Sequence, residues 1–475
     1  MPARAAMASA LAAAAVLLLA GCASPPATGP VPPEAPRVQL AGASAPLSER
    51  RSAAIVETLK DESSKPTSIF DRHLATEQAA AGTPLIAGNK VTLLQDGGAT
   101  YAAMFKAIAS ARDHINLESY IFKDDEVGKR FAAALIAKQR EGVQVNLIHD
   151  SIGAIGTTSG FFDGLRGQGI RVLEFNPINP LAAKTAWNPN QRDHRKLLIV
   201  DGRRAFLGGI NVTSIYSGGS RERATPERAG QELPQQAAPA PAKEEMLPWR
   251  DTDLLIEGPV VAEFQRMFLD TWQRQRGEPL PPRKYFPPLQ RAGNEVMRAI
   301  GSSPDAPYSP IYATLLSAIN SAETDILLTN AYFAPDPQFL NALQRAAARG
   351  VAVKLLLPSR TDSWLVLQAG RSYYDELLEA GVKIYERRDA LLHSKTTVID
   401  GVWSSVGSAN LDWRSFVHNQ EVNAVVLGAD FARQMHAAFE RDLDASREIT
   451  LAEWRRRPPS RRLAEMFARL WSYWL

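Results

Sequence analysis

The alternation of apolar and polar positions divides the chain into strands and amphipathic helices from about Pro84 onward. The segments HINLESYIF (114–122) and VQVNLIHD (143–150) are short and apolar, which predicts buried strands. Between them, DEVGKRFAAALIAKQREG (125–142) has the apolar spacing of an amphipathic helix. Strands that alternate with helices predict an α/β fold.

The same order of elements returns in the second half of the chain. A strand pattern, DILLTNAYFAPD (325–336), is followed by the helix pattern PQFLNALQRAAARG (337–350) and the strand pattern VAVKLLLP (351–358). A recurrence on this scale is typical of a duplicated unit. We therefore predict two tandem repeats, each a mixed β-sheet flanked by helices.

The N-terminus has the pattern of an export signal. A basic start and a short apolar run predict a signal peptide over 1–21. The tetrapeptide Leu19-Ala20-Gly21-Cys22 resembles the lipobox of bacterial lipoproteins, which implies a lipid on Cys22; the alternative is an ordinary secretory signal with a chance cysteine. Ala23 after the cysteine implies, by the same resemblance, a lipoprotein of the bacterial cell envelope that faces the periplasm at the outer membrane.

Residues 22–47 are rich in Pro and Ala and predict a tether, and residues 48–83 predict a helical cap on the first domain. Composition adds limits: 45% hydrophobic and 22% charged residues are ordinary for a globular protein. A net charge of +3 is too small to indicate a nucleic-acid binder, and a single cysteine excludes an intrachain disulfide.

A polar and Pro-rich stretch, 217–245, predicts a mobile insert in the first repeat. From His194 to Asp251 is 57 residues, whereas from His393 to Glu421 is 28. The excess of 29 equals the length of the insert, so its removal brings Asp251 into register with Glu421.

Two segments share one pattern: HRKLLIVDGRRAFLGGIN (194–211) and HSKTTVIDGVWSSVGSAN (393–410). In both, the histidine precedes a lysine by 2, an aspartate by 7 and an asparagine by 17 residues. Histidine and lysine share a strand face, and Asp-Gly predicts a tight two-residue hairpin. That turn places His194 opposite Gly209 and His393 opposite Ser408, with Asn211 and Asn410 diagonally adjacent.

This surface suits a phosphate diester. Lysine and asparagine donate hydrogen bonds to anionic oxygens, and with two histidines one can attack phosphorus while the other protonates the leaving oxygen. Asp251 and Glu421 can accept from the imidazole N–H and orient it. The predicted catalytic residues are His194, Lys196, Asp201, His393, Lys395 and Asp400, with Asn211, Asn410 and Ser408 as phosphate ligands.

Asp201 and Asp400 complete the two motifs, although their place at the turns favours a structural role. His149 and His418 could line the pocket. His73, His114 and His436 are interpreted as structural or surface residues.

The two motifs match the His-x-Lys-x4-Asp pattern of the phospholipase D superfamily. WRDTDLLIEGPVVAEFQRMFLDTW (249–272) and GSANLDWRSFVHNQE (407–421) resemble bacterial cardiolipin synthases. The resemblance implies phospholipase D-like repeats over 84–283 and 284–475, packed pseudo-symmetrically around one active site. It also implies a phosphohistidine intermediate, no metal or other cofactor, and His194 as the preferred nucleophile.

The implied reaction joins two phosphatidylglycerol molecules, or phosphatidylglycerol and another phospholipid, with release of glycerol. The alternative is transfer to water, by a phospholipase D or another phosphodiesterase such as a nuclease. The basic and aromatic stripes of a nuclease are sparse, so no nucleic acid is expected. A lipid-binding relic without activity would lack motif residues, and none is missing. No obligate protein partner is evident.

The C-terminal segment RRLAEMFARLWSYWL (461–475) predicts an amphipathic helix. Two interpretations remain open: the apolar side contacts an anionic lipid bilayer, or it docks on its own domain. The apolar side consists of Leu463, Met466, Phe467, Leu470, Trp471 and Trp474, and the arginines Arg461, Arg462 and Arg469 lie elsewhere.

Overall fold

The computed structural model describes residues 38–217 and 247–475, together with Pro26. The predicted signal peptide 1–21, the lipidation site Cys22, the tether before residue 38 and the insert from residue 218 onward lie outside the described residues, apart from Pro26.

The strands follow the predicted alternation with helices. They are β1 Leu40–Ala41, β2 Leu85–Gln95, β3 His114–Ser119, β4 Gln144–Asp150, β5 Arg171–Phe175, β6 Arg192–Asp193, β7 Lys196–Val200, β8 Arg204–Gly208, β9 Trp249–Arg250, β10 Thr252–Glu257, β11 Glu295–Ser302, β12 Asp325–Thr329, β13 Phe333–Ala334, β14 Ala352–Pro358, β15 Lys383–Arg387, β16 Leu391–Leu392, β17 Thr396–Ile399, β18 Trp403–Gly407, β19 Leu411–Asp412, β20 Asn419–Leu427 and β21 Ser446–Ile449.

The helices cover the sheets and connect their parallel strands. They are α1 Glu49–Asp61, α2 Leu74–Ala81, α3 Asp96–Ala109, α4 Glu126–Arg140, α5 Ser159–Gly167, α6 Val261–Arg274, α7 Pro310–Ser321, α8 Pro337–Ala348, α9 Trp364–Arg371, α10 Tyr374–Glu379, α11 Ala429–Asp444, α12 Leu451–Arg455 and α13 Pro459–Arg469.

The starts of several helices follow local sequence signals. Asp125 accepts a hydrogen bond from the Gly128 N–H at the start of α4, and Asp336 accepts from two N–H groups at the start of α8. Pro337 supplies the fixed φ that suits a first helical position. None of the helices in the described ranges is long and apolar enough to cross a membrane.

The two repeats have the same sheet topology. The first repeat has the strand order β5-β4-β3-β7-β8-β10-β2, and the second has β15-β14-β12-β17-β18-β20-β11. In each, the three outer strands are parallel and the others antiparallel. The predicted mixed α/β fold of two similar repeats is confirmed.

Strand β2 belongs to both sheets. Its second half, Lys90–Gln95, pairs with β10 of the first repeat, and Ile86, Ala87 and Asn89 pair with β11 of the second. A central apolar cluster therefore contains side chains from both repeats, among them Leu197, Leu254 and Val422. The repeats form one continuous structure through this strand and this cluster.

The helical segment before the first repeat packs on the second repeat, so the prediction of a cap on the first domain was wrong. The Glu77 carboxylate lies 3.4 Å from the Arg298 guanidinium, both fully buried, and His73 Nδ1 lies 3.0 Å from Ser317 Oγ. Ile69 and Leu74 join the apolar cluster of the second repeat. The segment packs on the second repeat because its apolar side chains fit the apolar cluster there, although the first repeat is nearer in sequence.

The register of both hairpins differs by one residue from the prediction. Val200 pairs with Arg204, and Ile399 pairs with Trp403, so each turn has three residues rather than two. The left-handed φ angles of Asp201 (54°) and Gly202 (61°) carry the chain through the first of these turns. As a consequence, the prediction that His194 lies opposite Gly209 was wrong, and Gly209 lies beside the carboxylate of Asp251.

Candidate active site

His194 is held beside Glu421 of the other repeat. Strand β6, immediately before His194, runs parallel to the start of β20, with Asp193 opposite Gln420. The His194 N–H donates to the Gln420 carbonyl at 3.0 Å. This register places Nδ1 of His194 3.0 Å from each carboxylate oxygen of Glu421.

His393 has the equivalent arrangement in the second repeat. Strand β16 runs parallel to β9, with Leu392 opposite Arg250, and the His393 N–H donates to the Arg250 carbonyl at 2.8 Å. Nδ1 of His393 then lies 2.7 Å from Oδ2 of Asp251. Each repeat thus supplies the carboxylate that orients the histidine of the other, an exchange that the sequence pattern does not reveal.

The carboxylate of Glu421 is itself positioned. The Ser408 hydroxyl donates to it, and Asn419 Nδ2 lies 3.3 Å from Oε1. The prediction that Ser408 binds phosphate is therefore corrected: its hydroxyl proton is engaged by Glu421. In the first repeat the equivalent residue is Gly209, and a Cβ there would collide with the Asp251 carboxylate.

Burial and neighbouring charges keep the imidazole of His194 neutral. Burial, opposed by Glu421 and reinforced by Lys196, lowers the pKa of His194 to about 4. Despite its own burial, Glu421 has its pKa lowered to about 2 by His194, Lys196 and Ser408. The imidazole proton therefore sits on Nδ1, facing the carboxylate, and Nε2 keeps its lone pair. Burial and the ammonium of Lys395 also lower the pKa of His393.

The two lysines lie in the same buried region. Each ammonium group donates to the backbone carbonyl of the histidine two residues before it, Lys196 to His194 and Lys395 to His393. Burial lowers the pKa of Lys196 to about 7 and that of Lys395 to about 8. The ammonium of Lys395 lowers the pKa of His194 and of Lys196, and the ammonium of Lys196 lowers the pKa of His393, so an anion bound between the two lysines would offset this repulsion.

The two asparagines are not equivalent. Asn211 accepts from the Ile121 N–H at 3.0 Å and donates to the Tyr216 hydroxyl at 3.1 Å, so its side chain positions other groups of the site. Asn410 is buried, and its Oδ1 has no hydrogen-bond partner within the described ranges. Phosphate oxygens accept hydrogen bonds, so phosphate binding by Asn410 would use its Nδ2 as the donor, and that role stays a prediction.

Asp201 and Asp400 lie at the far ends of their hairpins, and their assignment as catalytic residues is corrected. Asp201 accepts from the backbone N–H groups of 112–114 at 2.8–3.1 Å, and Asp400 accepts from those of 323–325. Each aspartate lies seven positions after its histidine, roughly 20 Å along an extended chain. They fix the turns to the ends of β3 and β12.

Aromatic side chains that the sequence did not single out surround the histidines. The Tyr120 ring lies 5.0 Å from the His194 ring, and the Trp249 ring lies 5.0 Å from the His393 ring. The Tyr216 hydroxyl lies 3.2 Å from Nδ1 of His393. Trp249 is two residues before Asp251, and positions two apart in an extended chain share a face, so this spacing could have found it. Tyr120 and Tyr216 carry no such signal.

Two further histidines were candidates for the pocket lining. His149 is buried and stacks on Phe162 with ring centroids 3.8 Å apart, so it belongs to the packed interior. His418 is half-buried, and its Nδ1 lies 3.2 Å from Asn190 Nδ2. Among the described residues, no group of three or more His, Cys, Asp or Glu side chains is arranged to hold a metal ion.

Comparison with known proteins identifies the family. The family model "Cardiolipin synthase, PLD-like domain" matches residues 104–223 and 315–443. A cardiolipin synthase of Geobacillus kaustophilus is 34% identical over 392 residues, which are 82% of this chain and 73% of that protein. Cardiolipin synthase 2 of Bacillus anthracis is 33% identical over 80% of this chain and 69% of its own length.

A solved structure shares the fold. The crystal structure of the phosphatidylserine synthase of Haemophilus influenzae Rd KW20 has a TM-score of 0.58 at 12% identity, over 84% of this chain and 99% of that one. Both motifs lie inside the regions that the family model matches, and the sequence relatives span most of the chain. The chain belongs to the cardiolipin synthase family of phospholipase D-like enzymes.

Proposed function

We propose that the protein transfers a phosphatidyl group from one phosphatidylglycerol molecule to a hydroxyl of another, forming cardiolipin and glycerol. The observation that carries the proposal is the pair of buried histidines, each with Nδ1 on a carboxylate of the other repeat and each followed by a buried lysine. Phosphatidylglycerol as the substrate also draws on the names of the related enzymes.

His194 is the proposed nucleophile. Its neutral imidazole attacks phosphorus through Nε2, and the bond from phosphorus to the glycerol headgroup oxygen breaks. The imidazole gains positive charge as the new bond forms, and Glu421 at 3.0 Å from Nδ1 stabilises that charge. Lys196 and Lys395 stabilise the negative charge on the non-bridging oxygens.

His393 is the proposed acid and base. The bound diester adds negative charge near His393 and so raises its pKa, which favours a protonated imidazole in the complex. His393 gives a proton to the departing glycerol oxygen and later takes one from the hydroxyl of the second phosphatidylglycerol. That hydroxyl attacks phosphorus, the phosphorus–nitrogen bond breaks, and His194 is released unchanged.

The exchange breaks one phosphate ester and forms one, so it needs no nucleotide. This independence supports the proposed location in the cell envelope, with lipid on Cys22 as an anchor facing the periplasm at the outer membrane. Lipid mass spectrometry of the purified mature protein would test both the modification and the residue that carries it. An unmodified Cys22 would contradict the anchor.

The proposed reaction is tested with the purified protein, phosphatidylglycerol vesicles and products read by mass spectrometry. Cardiolipin and glycerol in equal amounts are expected, and both should be lost in His194→Ala and in His393→Ala. Phosphatidic acid with glycerol and no cardiolipin would make the enzyme a phospholipase. Absence of lipid turnover, with cleavage of a nucleic-acid diester instead, would refute the proposal.

A phosphoenzyme trap distinguishes the two histidines. With quenching in denaturant at mildly alkaline pH, which preserves the acid-labile phosphorus–nitrogen bond, a peptide containing phosphatidyl-His194 is expected from the wild-type protein. If His194 is the nucleophile, His393→Ala slows release of the adduct and preserves it, whereas His194→Ala abolishes it. An adduct found on His393 would reverse the assignment of the two roles.

A further inference from the structure

The last helix leaves an apolar stripe facing away from the protein. In α13, Glu465 and Ala468 are buried, whereas Leu463 and Phe467 keep 62% and 54% of their surface exposed. The exposed residues follow the three- and four-residue spacing of one helix face. This stripe consists of Leu463, Met466, Phe467 and Leu470, and Trp474 is exposed beyond the helix end.

The opposite face of α13 fixes the helix in place. Ala468 packs against Ala334 and Ala369, which lets the helix approach α9 closely. The guanidinium of Arg457 pairs with Glu465 at 2.9 Å, and Arg469 pairs with Glu376 at 2.6 Å. The two open interpretations of this segment are thereby reconciled, because the helix docks on its own domain through its small and charged face and still presents its apolar face outward.

A second group of exposed apolar residues lies in the first repeat. The loop between β5 and β6, directly before His194, carries Ile178, Leu181 and Trp187, and Leu181 is 93% exposed. The loop contains a short helical turn, Pro180–Ala182, at whose start the Asn179 side chain accepts a hydrogen bond from the Leu181 N–H. We refer to the α13 stripe, Trp474 and these three loop residues together as the apolar rim.

The two parts of the apolar rim are joined through His418. Its Nδ1 lies 3.2 Å from Asn190 at the end of the loop, and its ring lies 5.8 Å from the ring of Tyr473, next to Trp474. Arg414 adds a hydrogen bond of 3.1 Å to Asn190 and one of 3.1 Å to the carbonyl of Leu475. The loop and the C-terminal segment are therefore neighbours on one side of the molecule.

That side is also the side of the histidines. The end of β3 and the start of β7 share one sheet edge, because Ser119 lies opposite Lys196. Loops that follow the parallel strands β4 and β5 leave from the same edge, since β3, β4 and β5 run in the same direction. At the opposite edge, by contrast, Phe286 stands next to the turn at Gly202.

Positive charge accompanies the apolar rim. Within the described ranges, Arg456, Arg461 and Arg462 form no ion pair with a carboxylate. A cleft of about 630 Å³ beside α13 is lined by Arg456 and Arg461 together with Trp364. Exposed apolar side chains flanked by arginine and tryptophan fit the boundary between headgroups and acyl chains of an anionic bilayer.

We propose that the apolar rim binds the surface of an anionic phospholipid bilayer and so holds the catalytic edge of both sheets against the lipid. The inference rests on the proposed function, since only a lipid substrate makes this placement useful. A bilayer is favoured over a second copy of the chain because the exposed side chains come from both repeats and border the catalytic edge, which a second copy would cover.

The test reports on insertion at single positions and needs no turnover. In the full chain carrying Cys22→Ser, a cysteine introduced by Phe467→Cys or Leu181→Cys is the single thiol. An environment-sensitive fluorophore at either position should shift to the blue with phosphatidylglycerol vesicles, and less with phosphatidylcholine vesicles. Phe286→Cys, at a residue 51% exposed on the opposite edge, is the matched control and should not respond.

The same labels in a His194→Ala background should respond unchanged, which separates failure of binding from failure of catalysis. A blue shift that grows with protein concentration in the absence of vesicles would assign the rim to self-association instead. Equal responses at Phe467 and Phe286, or none at Phe467 and Leu181 on vesicle-bound protein, would overturn the inference.

Turnover supplies a second readout. Leu463→Ser/Phe467→Ser removes two large apolar contacts, each contributing roughly tenfold to partitioning, so turnover of vesicles should fall about 100-fold. Turnover of a short-chain phosphatidylglycerol below its critical micelle concentration should be unchanged, as should both activities of Phe286→Ser. An equal loss on both substrates would contradict bilayer docking, whereas an inactive wild-type protein on both would instead refute the proposed function.

Discussion

The exchange of carboxylates between the repeats makes a specific prediction for Glu421→Gln. The substitution keeps the volume of the side chain but removes its charge, and glutamine can offer an N–H to Nδ1 of His194. The imidazole can then adopt the tautomer with its proton on Nε2, which no longer presents a lone pair to phosphorus. We expect the variant to fold. Nε2 of His194 then carries a proton and cannot attack phosphorus, and no carboxylate stabilises positive charge on the imidazole.

The size of the effect follows from the geometry. The Glu421 oxygens lie 3.0 Å from Nδ1, so the two charge centres are about 4 Å apart when the imidazole becomes cationic. At an effective dielectric constant of about 20 this attraction is about 4 kcal/mol, which corresponds to a rate reduced roughly 1,000-fold. The unfavourable tautomer adds to this loss.

The assay combines turnover with ¹⁵N spectra of the imidazoles. The chain has seven histidines, so the signals can be assigned by substitution. In the wild-type protein His194 should show a protonated Nδ1 and an unprotonated Nε2. Glu421→Gln should change this pattern at His194 alone, and Asp251→Asn should change the pattern at His393 alone.

The opposite assignment would refute the reasoning. If Glu421→Gln perturbed His393 and left His194 unchanged, each carboxylate would serve the histidine of its own repeat. A rate reduced less than tenfold, with an unaltered tautomer, would show that the carboxylate does not orient the nucleophile. Circular dichroism and the thermal midpoint of each variant separate these outcomes from loss of the fold.

Three further predictions follow from the site and its supports. Since burial lowers the pKa of Lys196 to about 7, kcat/KM should fall as the pH rises through 7–8 and the ammonium loses its proton. It should also fall as the pH is lowered towards 4 and His194 gains a proton. A flat profile from pH 6 to 9 would contradict this prediction. Asp201→Asn should lower the free energy of unfolding by about 1–3 kcal/mol, measured by denaturant titration, and leave kcat within about threefold, because the carboxylate holds a turn. Gly209→Ala should displace the Asp251 carboxylate and lower kcat at least roughly tenfold, with a changed ¹⁵N pattern at His393; unchanged spectra would contradict the proposed contact.

The elements and the repeated motifs could be predicted from the sequence because they depend on local periodicity. HINLESYIF and VAVKLLLP are strands and PQFLNALQRAAARG is a helix, as their patterns indicate. The histidines, lysines and both carboxylates are brought together in one buried region. Matching offsets in two copies sufficed to find them, since identical spacing in two similar sheets places equivalent residues at equivalent positions.

The remaining errors have physical causes. A two-residue turn was expected from Asp-Gly, but Asp201 and Gly202 both adopt left-handed φ angles and Arg203 completes a three-residue turn. The role of Ser408 depended on that register. The exchange of Asp251 and Glu421 could not be predicted, because it is set by short parallel pairings between segments more than 140 residues apart.

The exchange also constrains how such a chain can change over evolutionary time. A half-length chain with one His-Lys hairpin could be active only as a pair of chains, each completing the other, and a fusion of two such chains would make the pairing permanent. A substitution at Glu421 alters the orientation and tautomer of His194 in the other half. Compensating substitutions should therefore appear across the duplication rather than within each copy, and loss of either half should silence both histidines at once.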